Sequence, residues 1–496
     1  MSFGALSFVA SALLAIASSI IVARIYGIAV IGQFALVSAP AAVVWFLSNA
    51  GEQVASVRLL VGLPRRHPRI TGIFFVVFSF SMVLTTVVGL LVLVATYFLL
   101  NGPVHHPGLF GAAAVNTLGC IFVSNVAWNL ETPFTAFMAG RELFWIRLAQ
   151  PIVFIIVAAG LSFVETDVWA LVIATIASWG FSLLHRAFAI RPFVDLRPRA
   201  KEIREATSVL PEILSFGIRI VPGMLATGVA YEVGIWILGA SQSISAVGAY
   251  SRAWNVIRRF IEVNWRVAEM LFPSLLQRRE QEDSVGFARA ALDTMRYVLF
   301  LALLPAAVGG GGAEPVMAIF GPGFRQAGTA FAILLLAPGL SLLQTVQEIV
   351  LLAKERPTAV SIASIGQMLA TVILTVVLTP RLGINGPAIG MLAGYAAVIA
   401  YQQWSLHGNY GAPVRTFFPA RHLLGVVAAY AVAFAVSRLL ADAIGSEILA
   451  LVAIAIVGTL TYLATFLLIC RPLPRDRERL RSLIDDHLRR REVAPL

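Results

Sequence analysis

The sequence predicts an all-α polytopic membrane protein, and three observations carry that prediction. The 496-residue chain is 59% hydrophobic and only 13% charged, with a mean hydropathy of +0.85, a composition no soluble globular domain needs. About fourteen apolar segments reach the length that crosses a bilayer. Basic side chains gather in alternate connections between those segments, as they do when one face of a membrane retains positive charge.

The segments follow one another closely. The first six cover approximately 3–23, 31–50, 70–100, 109–130, 148–164 and 168–190, and the next six 212–240, 248–273, 293–313, 328–352, 358–379 and 386–404. The last two cover 421–441 and 447–470. Phe3–Ala23 has no basic residue before it and exceeds the roughly 7–15 apolar residues of a signal peptide, so it reads as a retained helix. One set of connections holds most of the 37 Lys and Arg residues, including Arg65, Arg66, Arg69, Arg141, Arg147, Arg186, Arg191, Lys201, Lys354 and the run from Arg471 to Arg491. The other set holds only Arg24, Arg325, Arg381 and Arg438. This asymmetry predicts that both termini are cytoplasmic. In a soluble protein the net charge of +11 would suggest nucleic acid, but here its placement in cytoplasmic loops explains it without such a partner.

The chain divides into a six-helix block over 1–190, a basic proline-bearing linker over 191–211 and a second six-helix block over 212–404. A trailing helix pair over 405–470 and a cytoplasmic tail over 471–496 follow. In the tail Leu480, Leu483, Ile484 and Leu488 recur at helical spacing among charges, which fits either a basic amphipathic helix on the inner leaflet or a solvated charged segment. The two blocks echo each other faintly. Arg24-Ile-Tyr-Gly27 through Gly32-Gln-Phe34 and Leu238-Gly239 through Gly248-Ala-Tyr250 both run from a helix end through a glycine to Gly-x-aromatic at the start of the next helix. Parallel repeats in a transporter leave such a trace.

The segment from Ala249 to Leu271 is unlike the rest. Arg252, Asn255, Arg259, Glu262, Arg266 and Glu269 recur every three or four residues and form one stripe on a helix. The other positions are largely apolar, among them Trp254, Ile257, Phe260, Ile261 and Trp265. An ionised group at bilayer depth costs about 2.5–3.5 kcal/mol by insertion scales, so it must meet a partner or water. An interfacial helix lying on the surface is the competing reading, yet removing this one crossing would put every later basic loop outside. A spanning helix with a hydrated cationic face points to transport of something polar and anionic.

The stripe residues Arg252, Arg259 and Arg266 stand seven apart, about 10 Å per step along a helix, a ladder of anion sites. Arg219 in helix seven, and Arg24 and Arg58 flanking helices one and two, complete the candidate anion-binding set. Arginine suits phosphates because its planar fork makes paired charge-assisted bonds and stays ionised when partly desolvated. Glu232, Glu262 and Glu269 are candidates for ion coupling or for counter-ions to arginine. Asn116, Asn125 and Asn129 on helix four could bond either a sugar or a neighbouring helix. The two cysteines and seven histidines show no metal-ligand spacing, and Gly309–Gly312 lacks the Lys and Ser/Thr of a phosphate-binding loop. Neither a metal nor a cofactor is expected, and the energy is expected from an ion gradient, the membrane potential or consumption of product.

Several short pieces, in order along the chain, carry a family likeness. They are Ala23-Arg24-Ile-Tyr-Gly27 with Gly32, Asn49-Ala-Gly51 with Val57-Arg58, Val247-Gly-Ala-Tyr-Ser-Arg-Ala253, Phe272-Pro-Ser274, Phe320-Gly-Pro-Gly-Phe324 and Thr379-Pro-Arg-Leu-Gly-Ile-Asn-Gly-Pro-Ala388. With fourteen helices, the set resembles the Wzx-type polysaccharide flippases of the multidrug/oligosaccharidyl-lipid/polysaccharide (MOP) exporter superfamily. Pro387 stands where that pattern usually has alanine. The resemblance implies two pseudo-symmetric six-helix lobes around a central V-shaped cavity plus a C-terminal helix pair. It implies a transporter, not an enzyme, in the bacterial inner membrane. Its cargo would be a polyprenyl-diphosphate-linked oligosaccharide for O-antigen, capsule or exopolysaccharide. Membrane lipids, a polysaccharide polymerase and a chain-length regulator are the partners such a pathway supplies. Two relatives of the same fold are alternatives: a lipid II flippase and an ion-coupled multidrug exporter, the latter expected to hold carboxylates rather than arginines. A membrane polymerase or ligase would need a sizeable outer loop, and the outer connections are short, about eight residues after helix three, three after helix five and seven after helix seven.

Overall fold

A computed structural model describes residues 3–47, 60, 64–137, 139–195, 197–406 and 420–470 of the chain. Helices account for nearly all of them. The first half contains α1 (Phe3–Leu47), α2 (Pro68–Asn101), α3 (Phe110–Gly119), α4 (Asn125–Asn129), α5 (Thr132–Ala136), α6 (Gly140–Leu161), α7 (Val168–Ala189) and the short α8 (Ala200–Ala206). The second contains α9 (Leu210–Ser241), α10 (Ile244–Glu280), α11 (Ser284–Gly311), α12 (Ala313–Ala318), α13 (Gly328–Leu334), α14 (Ala337–Ala353), α15 (Pro357–Leu382) and α16 (Asn385–Ser405). The chain then continues through α17 (Ala420–Ala443), α18 (Glu447–Ala453) and α19 (Thr459–Ile469).

Eleven of the described helical stretches are long and apolar enough to cross a membrane. The first is two crossings, because α1 bends at Gly27 (φ 74°, ψ 170°), a left-handed conformation that a side chain would strain. Adding α10 and α16, which are of spanning length but more polar, brings the number to fourteen. A loop was expected between the first two crossings. The single glycine turns the chain instead, and helical hydrogen bonding resumes at once.

Other boundaries are set by caps. Ser243 Oγ accepts from the Ala246 N–H and opens α10, so only Gln242 and Ser243 separate it from α9, rather than the seven residues expected. Asp167 accepts from the Ala170 N–H at α7, and Asp283 from the Gly286 N–H at α11. The fourth crossing is broken by a wide turn over Cys120–Ser124 between α3 and α4, a local unwinding often found at sites of function or strain.

Apolar burial gains little between helices in lipid, so close approach depends on small residues. Along α16, Gly386, Gly390 and Gly394 lie against Thr379, Thr375 and Thr371 of α15. A methyl added at Gly390 would stand 2.3 Å from the Thr375 hydroxyl, and one at Gly394 2.0 Å from that of Thr371. The largest apolar cluster joins α1 to α7, α9, α10, α13 and α16 through Ile31, Leu36, Leu171, Leu238, Trp254, Phe331 and Tyr395.

Within that cluster α1 meets α10 at a reciprocal crossing. A methyl on Gly32 would stand 2.0 Å from the Ile244 carbonyl oxygen, and one on Gly248 would stand 2.1 Å from the Ile28 carbonyl oxygen. Each glycine therefore seats on the carbonyl four residues before the other. The faint repeat in the sequence becomes a two-fold-like contact between the two halves.

Candidate functional site

The charged stripe lies on α10, which is continuous from Ile244 to Glu280 and packs on α1, α9, α14 and α11. Its members differ in how they are satisfied. Arg252 is buried at 7% exposure, and its guanidinium donates to Ser19 Oγ on α1 at 2.8 Å. Its Nε has no partner, and no carboxylate pairs with it among the described residues. Arg259 and Glu262 form an ion pair at 3.0 Å with both side chains 44% exposed. The side chains of Arg266 and Glu269 lie outside the described residues, as does all of Arg58.

Glu232 on α9 is buried and accepts from Arg258 at 2.9 Å. The sequence left Arg258 off the stripe because it stands one residue ahead of Arg259 and so points along a different side of α10. The available signal was an intramembrane arginine and an intramembrane glutamate on consecutive helices. Beside this pair, the Tyr231 and Tyr395 hydroxyls meet at 2.9 Å between α9 and α16.

Two other candidates sit apart from these. Arg24 is exposed at the Gly27 bend, where its Nε donates to the Ile319 carbonyl at 2.7 Å, tying α1 to the end of α12. Arg219 is exposed on α9, and its backbone carbonyl accepts from the Ser361 hydroxyl of α15. Arg252, Arg259 and Glu262 therefore lie along α10 with separate partners, Glu232 is held to the same helix through Arg258, and Arg24 and Arg219 lie apart from them.

A second charged cluster was not singled out from sequence. Glu131 is buried between Arg147 of α6, whose Nε donates to it at 3.0 Å, and Arg186 of α7 at 2.8 Å. Arg186 also donates to Ser182 and lies over the Trp179 ring. The two arginines had been assigned to solvated connections; they belong instead to a buried lock that closes the broken fourth crossing against α6 and α7. Of the three asparagines of helix four, Asn129 donates its amide to Ser81 of α2 at 3.1 Å and to Asn125, and Asn125 reaches Met82 of α2, so these two tie the fourth crossing to the third. Among the described residues no cluster of His, Cys, Asp and Glu could hold a metal ion.

A family model described as "Polysaccharide biosynthesis protein" matches residues 21–317, which contain every candidate site residue. The chain belongs to this family. No curated protein matches the sequence. Among solved structures it is similar to the lipid II flippase MurJ in an inward closed conformation, at 14% identity, covering 94% of this chain and 99% of that one, with a TM-score of 0.68. It is also similar to an inward-facing multidrug resistance MATE family transporter of the MOP superfamily, at 13% identity over 83% of this chain and 96% of that one, TM-score 0.61. A Vibrio cholerae MATE transporter gives 13% identity, 82% and 96% coverage, and a TM-score of 0.55. At these identities the likeness establishes the fold alone: this polysaccharide biosynthesis protein is a multi-pass membrane protein with the helical fold those structures share.

Proposed function

We propose that this family member flips a polyprenyl-diphosphate-linked oligosaccharide from the cytoplasmic to the outer leaflet of the bacterial inner membrane by alternating access. The supporting observation is the state of the arginines on α10. Arg259 is nearly half exposed about four turns into a helix of spanning length. A guanidinium there must meet water, because exposure to hydrocarbon would cost several kcal/mol. Arg252 lies one heptad away with no carboxylate partner among the described residues, so α10 carries positive charge beyond what Glu262 balances, suited to a diphosphate.

In this reading the helices over 1–190 and 212–404 form two lobes that close on each other at the α1–α10 crossing and part there in the alternate state, joined by the linker at 191–211, with the pair at 405–470 alongside. Both termini and the tail at 471–496 are cytoplasmic. The protein transports rather than catalyses, and the Arg258–Glu232 and Arg259–Glu262 pairs favour counter-ion roles for those carboxylates. A multidrug exporter for organic cations would require the opposite balance of charge.

The test is export of lipid-linked sugar in membranes carrying Arg259→Ala, Arg259→Lys, and Arg259→Ala with Glu262→Ala, at matched protein abundance. The alanine variant is expected to abolish export and lysine to restore part of it, because lysine keeps the charge and loses the paired geometry. Recovery in the double variant would show that Arg259 only neutralises Glu262, and the proposal would fall. Transport of lipid II but not of other lipid-linked sugars would instead select the peptidoglycan reading.

A further inference from the structure

Five aromatic rings form one unbroken edge-to-face ladder from the first half of the chain to the second. Trp128 of α4 meets Trp45 of α1 at 5.4 Å, Trp45 meets Phe46 at 5.7 Å, Phe46 meets Tyr231 of α9 at 5.3 Å, and Tyr231 meets Trp254 of α10 at 5.3 Å. Trp128, Trp45, Phe46 and Tyr231 are half-buried, whereas Trp254 is fully buried with its indole N–H unpartnered. Trp254 belongs to the largest apolar cluster and Tyr231 packs against it, and two features carry the ladder beyond that cluster. It crosses the contact between the halves, where Phe46 lies on Gly228 of α9. Its second end also lies beside the Glu232–Arg258 ion pair of α9 and α10, since Tyr231 and Trp254 are one and four residues from Glu232 and Arg258.

We infer that this ladder is the carbohydrate platform of the transport site: pyranose rings of the cargo stack on the half-buried indole and phenyl faces while the α10 arginines take the diphosphate. The inference rests on the function proposed above and adds the part of the cargo it did not assign. The chemistry follows from the ring quadrupole. An aromatic face is negative, and the axial C–H groups of a pyranose are weakly positive and apolar, so the two stack without requiring a particular hydroxyl pattern. Arginines alone would bind a sugar-free diphosphate as well as a glycosylated one. Aromatic faces left partly open along the ladder are what distinguish the two.

The test measures binding of two probes to the protein in nanodiscs: undecaprenyl diphosphate and undecaprenyl-diphosphate-linked N-acetylglucosamine. The unaltered protein is expected to prefer the glycosylated probe. Trp45→Leu and Trp128→Leu should each weaken that probe by about tenfold, the scale of one lost aromatic contact. Binding of the sugar-free probe should stay unchanged, which also reports an intact fold, and Trp45→Phe should restore most of the loss. Equal weakening of both probes, or a preference the leucine variants leave intact, would make the ladder interlobe packing and overturn the inference while the flippase reading stands. If the unaltered protein binds neither probe, the flippase reading fails and the inference with it.

Discussion

Replacing Gly248 by alanine tests whether the α1–α10 crossing is a moving closure. The added methyl would stand 2.1 Å from the Ile28 carbonyl oxygen and 3.0 Å from the Gly32 nitrogen, whereas ordinary contact begins at 3.4 Å. The helices must therefore separate by about 1.3 Å at this point. Overpacking of this kind costs about 1–3 kcal/mol, which biases a two-state closure by about 5- to 150-fold toward opening. Alanine is a better helix former than glycine, so α10 itself loses nothing. The assay is labelling of a cysteine placed at Ala253, fully buried just over one turn further along α10, by an impermeant maleimide added outside cells. The native Cys120 and Cys470 are buried and give little background. Labelling should rise by about 5- to 150-fold, with export falling in step. Gly32→Ala should match Gly248→Ala closely, because the contact is reciprocal. Unchanged labelling with normal export, or strongly unequal effects of the two substitutions, would refute the assignment of this crossing as the closure.

Four further outcomes are expected. Glu131→Ala leaves Arg186, whose side chain is 3% exposed, buried without its carboxylate, so thermal unfolding in detergent should show a loss of about 3–5 kcal/mol. Arg147→Ala should cost far less, since Arg147 is 24% exposed and Arg186 keeps its partner. Single cysteines at Glu205 and Thr166, both exposed, should be shielded from and reached by an outside impermeant reagent respectively; the reverse pattern would invert the topology. Arg24→Ala removes one hydrogen bond to Ile319 and should raise outside labelling at position 253 by less than tenfold, as a contact that assists closure without forming it.

The stripe on α10 was legible because helical spacing fixes which residues share a face, and both the lack of a carboxylate beside Arg252 within the stripe and the Arg259–Glu262 pair follow from one helix alone. Glu232–Arg258 and Glu131–Arg147–Arg186 were not legible as contacts. Each depends on how one helix is rotated against another, and no spacing within a single segment carries that information. Arg186 lies in the last turn of α7 and Arg147 just before the apolar run of α6, where composition cannot separate a solvated arginine from one folded back onto a buried carboxylate. The Gly27 bend and the two-residue α9–α10 connection escaped for a related reason. Hydropathy marks where apolar sequence pauses, whereas a left-handed glycine or a serine cap turns the backbone within a residue or two. Gly32 and Gly248 looked like ordinary connection glycines, and only their mutual approach gives them a distinct role.

The threonine-and-glycine face between α15 and α16 bears on how the protein is made. Gly386, Gly390 and Gly394 meet Thr379, Thr375 and Thr371 across a bend of only a few residues, so each contact is short-range in sequence. α16 is among the less apolar crossings, and entering lipid alone would expose its polar residues to hydrocarbon. Held against α15, it can leave the insertion machinery as half of a preassembled hairpin, its close-packed side already covered. Valine at Gly390 would therefore act during biogenesis, before any cargo arrives: the newly made chain would be degraded, and membrane abundance would fall before transport could be measured.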